Sequence, residues 1–434
     1  MSSPDPSADP TTPVWHSPGG WISTRHPLLV AGYFTAELGV GEAGRLLVGG
    51  LEAAGVPLVT QTLVDTGNRK TVPFADRPGE PDASRVVVVC DNADGVQRYA
   101  AACRPGFLAQ RYVIGLWFWE VDRFPASMHG GFDVVDEVWA ASDHVRRAVA
   151  AARRRPVRRI ALPLANPAPA AALVRADHGL PEGFLFLVCF DHTSVVQRKN
   201  PAAAVAAFRR AFPGGDEPAG LVVKSINGDA YPEQRLELRA EAGGDPRIVF
   251  IDRYLSATDQ RRLVATADAY VSLHRAEGLG LPMAEAMSLE KPVIATGYSG
   301  NLAFMDSENS LLVGYRLVPV PEGSGPYPPD ARWAEPNLDE AAALMRRLID
   351  HPEVASRIAG RARSSLLSAH SQAACVPVLL ASLASAERRA RLRRPARTLA
   401  ARARAAAGRG RRALGRARRM IRRPPDPRGH APRA

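Results

Sequence analysis

The chain has 434 residues, 46% of them hydrophobic and 23% charged, which fits a folded α/β protein of about two domains and excludes collagenous or disulfide-stapled classes. Its formal charge of +12 is uneven: residues 388–434 hold eighteen arginines against one acid, Asp426, so the basicity belongs to a tail and the remainder is net negative. No run approaches about 18 apolar residues, so no spanning helix is expected, and four scattered cysteines (Cys90, Cys103, Cys189, Cys375) lack CxxC spacing and read as free thiols in a reducing compartment.

Residues 1–24 lack the basic and apolar regions of a secretion signal and read as a disordered leader. Residues 28–32 form the expected first strand. The loop 33–41 leads into a helix with Leu46, Leu47, Leu51 and Ala54 on one face, stopped by Gly55. Gly39-Val40-Gly41-Glu42-Ala43-Gly44 spells G-x-G-x-x-G, with Asp65 about twenty residues on, the pattern of a dinucleotide site. Six residues separate the strand from Gly39, whereas that fingerprint follows its strand directly. A dinucleotide-dependent oxidoreductase or nucleotide-sugar epimerase using Gly39–Gly44 therefore stands as an alternative reading.

Residues 85–90 and 112–116 are further apolar strands. The second runs into Trp117-Phe118-Trp119-Glu120, and aromatics with an acid at the carboxyl end of a parallel strand lie where open sheets take ligands. The two tryptophans suit a core equally well. Residues 137–142 read as a strand, with Ser142 or Asp143 capping the next helix. The strand at 158–162 closes a first domain at 25–164, and residues 165–182 read as a linker.

A second domain, 183–386, opens with a strand at 184–190, a polar loop at 191–200 and a helix from Pro201. Strands at 221–224 and 247–251 flank a helix at 234–242. Residues 269–273 form a strand, Gly278 and Gly280 permit a tight turn, and Pro282 suits the start of a helix. Free N–H groups at such a helix start attract phosphate. Glu277 before the turn and Glu285 about one turn into the helix are suited to sugar hydroxyls. The strand at 292–296 ends in a second small-residue loop, where the amides of Ser299, Gly300 and Asn301 can join the same site. Helices at 339–350 and 354–367 end the domain. The alternation of strand and helix argues an α/β fold with two doubly wound, Rossmann-like domains facing a central cleft.

The stretch Glu277-Gly278-Leu279-Gly280-Leu281-Pro282-Met283-Ala284-Glu285, with the strand and glycine loop after it, resembles the donor signature of retaining GT-B glycosyltransferases of family 4, glycosyltransferase group 1. The segment 32–45 resembles the opening loop of bacterial mannosyltransferase-like members, and Asp136-Glu137-Val138-Trp139 with Ser142 matches a further family segment. The resemblance covers most of 28–367. It implies Glu277 on the transferred sugar, the amides of Gly278, Leu279, Gly280 and Leu281 on the diphosphate, and Glu285 on the ribose. Gly39 and Gly41 would let their loop approach donor and acceptor, while Arg253, Tyr254 and Leu255 would lie at the base. Lys199 matches the family's phosphate lysine. The family arginine five residues earlier is Ser194 here, which leaves Arg198 or Lys224 as the second cation. Glu290-Lys291 stand where a glycine usually closes the helix.

Glu277, Lys199 and Glu120 form the expected catalytic set, with no metal and no cofactor besides the donor. The resemblance implies transfer of a hexose, mannose among the candidates, from a nucleotide-diphosphate sugar to a glycan or lipid-linked acceptor in polysaccharide biosynthesis. A non-catalytic glycan-binding partner is the further alternative. Both glutamates are expected to be partly exposed, so that replacing either leaves the fold intact. The tail, 387–434, reads as solvated or as a contact to an anionic membrane surface, which puts a cytoplasmic protein at the inner face of the cell membrane. It lacks the aromatics that stack on nucleic acid, so no specific nucleic acid is expected.

Overall fold

Runs of branched and aromatic residues, apolar on both faces, build two buried parallel sheets. The computed structural model describes residues 26–166 and 168–392. The expected leader and the tail from 393 on lie outside the described residues.

The first domain holds β1 (Leu28–Gly32), β2 (Leu58–Thr62), β3 (Val86–Cys90), β4 (Tyr112–Trp117), β5 (Glu137–Ala140) and β6 (Val157–Arg159). Helices α1 (Gly39–Ala53), α2 (Ala93–Ala102), α3 (Gly131–Val134) and α4 (Asp143–Ala150) connect them. The sheet order is β2-β1-β3-β4-β5-β6, parallel throughout. The second domain holds β7 (Phe184–Asp191), β8 (Ala219–Ile226), β9 (Ile248–Asp252), β10 (Ala269–Ser272), β11 (Val293–Thr296) and β12 (Leu311–Val313). Its order is β12-β11-β10-β7-β8-β9, again parallel. Its helices are α5 (Val196–Lys199), α6 (Pro201–Ala211), α7 (Pro232–Glu241), α8 (Ala257–Thr266), α9 (Leu281–Ser288), α10 (Leu338–Asp350) and α11 (Pro352–His370). These are the two doubly wound domains of the expected GT-B architecture.

Each sheet reverses its winding once, between β1 and β3 and between β7 and β10. Ligand crevices of open α/β sheets form outside the carboxyl ends of strands at such reversals. One additional piece interrupts the second domain after β12: an antiparallel hairpin of β13 (Tyr315–Pro319) and β14 (Arg332–Pro336).

The carboxyl-terminal helix departs from two expectations. It bends at Ser371 and continues, and the segment Pro352–Leu392 is by length and composition long and apolar enough to cross a membrane. Its apolar side chains are used otherwise. Val376, Leu379, Leu383 and Ala386 are buried in one core cluster with Leu47, Leu51 and Leu164 of the first domain. Arg389 then donates to Glu137 Oε2 at 2.8 Å and to the Tyr112 hydroxyl at 3.2 Å. Residues 387–392, read from sequence as tail, are thus helix anchored on the first domain.

Candidate active site

The second domain's crevice is built on the chain after β10. Gly280 precedes α9 with φ of +94°, a conformation that favours glycine, and Pro282 lies in the first helical turn. The loop after β11 clamps the Glu277–Gly278 peptide. Ser299 Oγ accepts from the Glu277 N–H at 2.8 Å, and the Gly300 N–H donates to the Glu277 carbonyl at 2.8 Å. A Cβ on Gly300 would fall 2.1 Å from the Gly278 oxygen, so this approach requires glycine. Asn301 is fully buried, donates to Thr296 O at 3.1 Å and lies 3.2 Å from His274 Nε2. The Asn301 side chain therefore serves the loop's interior. Leu279 is likewise buried in the core, which leaves its backbone for a ligand.

The segment 191–200, expected to be a polar loop, closes into a helical turn. Val195 takes φ of +56°, rare for a β-branched residue, and α5 then turns Arg198 and Lys199 back toward β10. Lys199 Nζ donates to Glu277 Oε1 at 2.6 Å, and Arg198 Nη1 lies 3.5 Å from Glu277 Oε2. Arg198 is 5% exposed and also donates to Ala276 O and Ser194 O. Glu277 is 7% exposed, which corrects the expectation of a partly exposed carboxylate. Burial opposes its ionisation, but Lys199 and Arg198 prevail and hold its carboxyl down at about 2. Across the cleft, Glu120 Oε1 lies 4.0 Å from Arg198 Nη2. Of the two candidates for a second cation, Arg198 is the one brought to Glu277. Lys224 is buried at the end of β8 and donates to Ser225 O at 2.8 Å, with burial lowering its pKa.

Glu285 points from α9, its side chain about a third exposed and 3.8 Å from Arg261 Nη1. Burial raises its pKa, and Glu42 on α1 adds to the rise. Gly39 and Gly41, expected in a loop, form the first turn of α1. Tyr254 donates to Asn227 Oδ1 at 2.8 Å, and the Arg69 guanidinium of the first domain lies 4.1 Å above its ring. Arg69 of the first domain thus packs on one of the residues expected at the base.

The domains meet at the glycine turn. Ser142 caps α4 by accepting from the Val145 N–H, and its hydroxyl donates to Gly278 O at 2.9 Å. A Cβ on Gly278 would meet Phe118 Cβ at 3.4 Å. Trp117 and Trp119 are fully buried core residues. Among the described residues, no group of three or more His, Cys, Asp or Glu side chains is placed to hold a metal.

Two residues of interest escaped the sequence reading. Asp91 follows β3 at the first sheet's reversal, 7% exposed, with Oδ1 accepting from the Asn92 N–H at 2.7 Å and Oδ2 3.8 Å from Arg98 Nη2. Burial pushes its carboxyl up to about 6. An acid placed directly after the apolar run Val86–Cys90 was the available signal. Tyr327, whose hydroxyl donates to Glu120 Oε2 at 3.1 Å, arises from a Pro- and Gly-rich loop with no pattern to mark it. Asp65, the acid required by a dinucleotide site, lies 3.4 Å from Arg98 Nε.

Residues 195–318 match the model of a family described as Glycosyl transferases group 1. No curated protein matches the chain in sequence. Among solved structures, Anabaena HepE in complex with UDP and glucose superposes with a TM-score of 0.60 at 14% identity, over 83% of this chain and 100% of that one. Sucrose-phosphate synthase from Thermosynechococcus elongatus gives 0.58 at 14% identity, over 83% and 98%. Trehalose 6-phosphate synthase from Burkholderia multivorans gives 0.54 at 12% identity, over 84% and 99%. The second domain thus carries a segment of the glycosyl transferases group 1 type, set in a GT-B fold of two Rossmann-like domains.

Proposed function

We propose that this protein is a retaining glycosyltransferase that moves a hexose from a nucleoside diphosphate sugar to an acceptor hydroxyl. The observation that carries the reading is the buried, ionised Glu277 held by Lys199 and Arg198 beside the start of α9. The donor diphosphate takes Lys199 and the N–H groups of the turn Gly278–Leu281 that opens α9. As the glycosidic bond breaks, negative charge grows on the leaving diphosphate, where this cation and these amides stabilise it. Positive charge grows on the sugar, which faces Glu277. The acceptor hydroxyl attacks from the same face and passes its proton to the departing phosphate oxygen. UDP is the first nucleotide to test, because HepE binds it; mannose and glucose are the first sugars.

The acceptor enters at the first sheet's reversal, beside Asp91. Asp65, Asp91 and Asp94 share the single Arg98 there, so the pocket disfavours an anionic group and suits a neutral glycan hydroxyl. The arginine-rich tail holds the enzyme at an anionic inner membrane surface, near a glycan or lipid-linked acceptor of polysaccharide biosynthesis.

Separate titrations with UDP and NAD, followed by turnover of a panel of UDP-hexoses with and without chelator, test the reading. UDP binding with chelator-resistant turnover is expected, since Lys199 and the amides of the turn before α9 carry the diphosphate. NAD binding without UDP binding would favour the oxidoreductase alternative that Gly39–Gly44 suggests. Nucleotide binding without turnover of any donor would favour a silent glycan-binding partner.

A further inference from the structure

The hairpin β13–β14 belongs to the second domain by chain order, yet its loop, 320–331, is fastened to one short segment of the first. The Arg332 N–H donates to Asp122 Oδ1 at 2.8 Å, Asp330 lies 3.8 Å from Arg123, and the Tyr327 hydroxyl donates to Glu120 Oε2 at 3.1 Å. The same loop touches the donor side. A Cβ on Gly325 would fall 2.7 Å from Cγ2 of Val195, the left-handed residue that launches the turn bearing Arg198 and Lys199. The Tyr327 ring stands edge-on to Trp119 at 5.4 Å and to Trp333 at 6.4 Å, and both tryptophans are buried. The hydroxyl is thereby fixed in place. Burial, reinforced by Glu120, pushes the phenol well above its ordinary range and keeps it a donor.

One chain of contacts follows. Tyr327 bonds one oxygen of Glu120, the other oxygen faces Arg198 at 4.0 Å, Arg198 faces Glu277 at 3.5 Å, and Glu277 holds Lys199 at 2.6 Å. Arg198 therefore stands between two carboxylates that compete for it. Once a diphosphate draws Lys199 away, Arg198 is the cation left on Glu277, and the place of Glu120 decides where that guanidinium sits. We propose that Tyr327 is a positioning residue for the transfer step, holding Glu120 in register with Arg198 and, through it, Glu277. This rests on the glycosyltransferase reading above and adds a residue from the hairpin that touches neither diphosphate nor base.

The test is a double-mutant cycle of Tyr327→Phe and Glu120→Gln, read by kcat, donor KM and UDP affinity. Phenylalanine keeps the ring between the two tryptophans and removes only the hydroxyl. Loss of a hydrogen bond to a charged group predicts a fall in kcat of about tenfold or more, with UDP affinity within about twofold of wild type. If Tyr327 acts through Glu120, the double variant is no slower than Glu120→Gln alone. Additive losses, or a Tyr327→Phe enzyme at the wild-type rate, overturn the inference while wild-type turnover leaves the glycosyltransferase reading standing. A wild type that turns over no donor overturns both. Thermal unfolding of each variant separates a folding defect from a rate effect.

Discussion

Lys199 Nζ and Glu277 Oε1 lie 2.6 Å apart, so the cation proposed for the diphosphate and the carboxylate proposed for the sugar form one ion pair, its carboxylate buried and its ammonium partly exposed. Glu277 also faces Arg198 at 3.5 Å, and that guanidinium is buried, so removing the carboxylate takes a counter-charge from a cation held in a dry site. Glu277→Gln is expected to destabilise the fold by about 3–5 kcal/mol at neutral pH. The carboxyl's pKa is lowered from 4.5 to about 2, so its contribution is present in full above pH 4.5 and is lost as pH falls toward 2. Urea unfolding from pH 7 to pH 3 should show a wide gap between variant and wild type that narrows below pH 4.5. At pH 7, kcat should collapse while UDP affinity holds or tightens, because Lys199 is released. Equal stability at pH 7 would contradict this pairing.

The framework of this site was legible because it is local in sequence: strand, glycine turn and helix start follow one another from Ala269 to Glu285. The alternating strands and helices of both domains were readable for the same reason, since fully buried strands such as Val86–Cys90 are continuous apolar runs. Three things were not readable. The burial of Glu277 depends on Lys199, 78 residues away, and its neighbour Arg198 folding back through an unusual turn at Val195. The strands β2, β12 and β13 are short or carry polar residues, so their pattern was too weak to mark them. The return of the last helix to the first domain is a tertiary choice, made by Leu379, Leu383 and Arg389 finding partners that no local pattern reveals.

Glu285 tests the donor reading from the other side. A ribose contact is the same before and during bond breaking, so it supports binding uniformly and does not favour the transition state. Glu285→Gln should raise donor KM and UDP Kd about ten- to a hundredfold, with kcat nearly unchanged. Because its nearest cation, Arg261, is 3.8 Å away, this substitution should leave stability close to wild type, in contrast to Glu277→Gln. Steady-state kinetics beside calorimetric UDP titration reads both quantities. A fall in kcat with unaltered UDP affinity would move Glu285 out of the ribose role.

Glu290, noted in the sequence where a glycine usually closes the helix, follows α9 with φ of +56°. An L-residue there is strained by about 1 kcal/mol or more, while glycine adopts the conformation freely. The side chain's compensation is an ion pair to Arg363 at 3.4 Å, mostly exposed and so worth little. Glu290→Gly is expected to raise stability by roughly 1 kcal/mol without altering turnover. A drop in melting temperature would show that the Arg363 contact outweighs the backbone strain.

Asp91 sets stability against function at the proposed acceptor pocket. Its carboxyl is pushed up to about 6 by burial, from an ordinary 3.8. A raised acid favours the fold while it is protonated, so the contribution is whole below about pH 3.8 and is lost as pH rises through 6. At pH 7 and above the buried charge is therefore a liability, of the order of 2–3 kcal/mol. Asparagine keeps an oxygen for the Asn92 N–H, which now meets Asp91 Oδ1 at 2.7 Å, and removes the charge. Asp91→Asn should accordingly be more stable than wild type at pH 8 and no more stable at pH 4. If Asp91 accepts the acceptor's hydroxyl, the same variant should lose transfer to the glycan by about tenfold or more, while slow donor hydrolysis to UDP continues. Denaturation at the two pH values, with transfer and hydrolysis assayed side by side, measures both predictions. A variant that gains stability at pH 8 and transfers at the wild-type rate would leave Asp91 a buried charge with no part in the acceptor site.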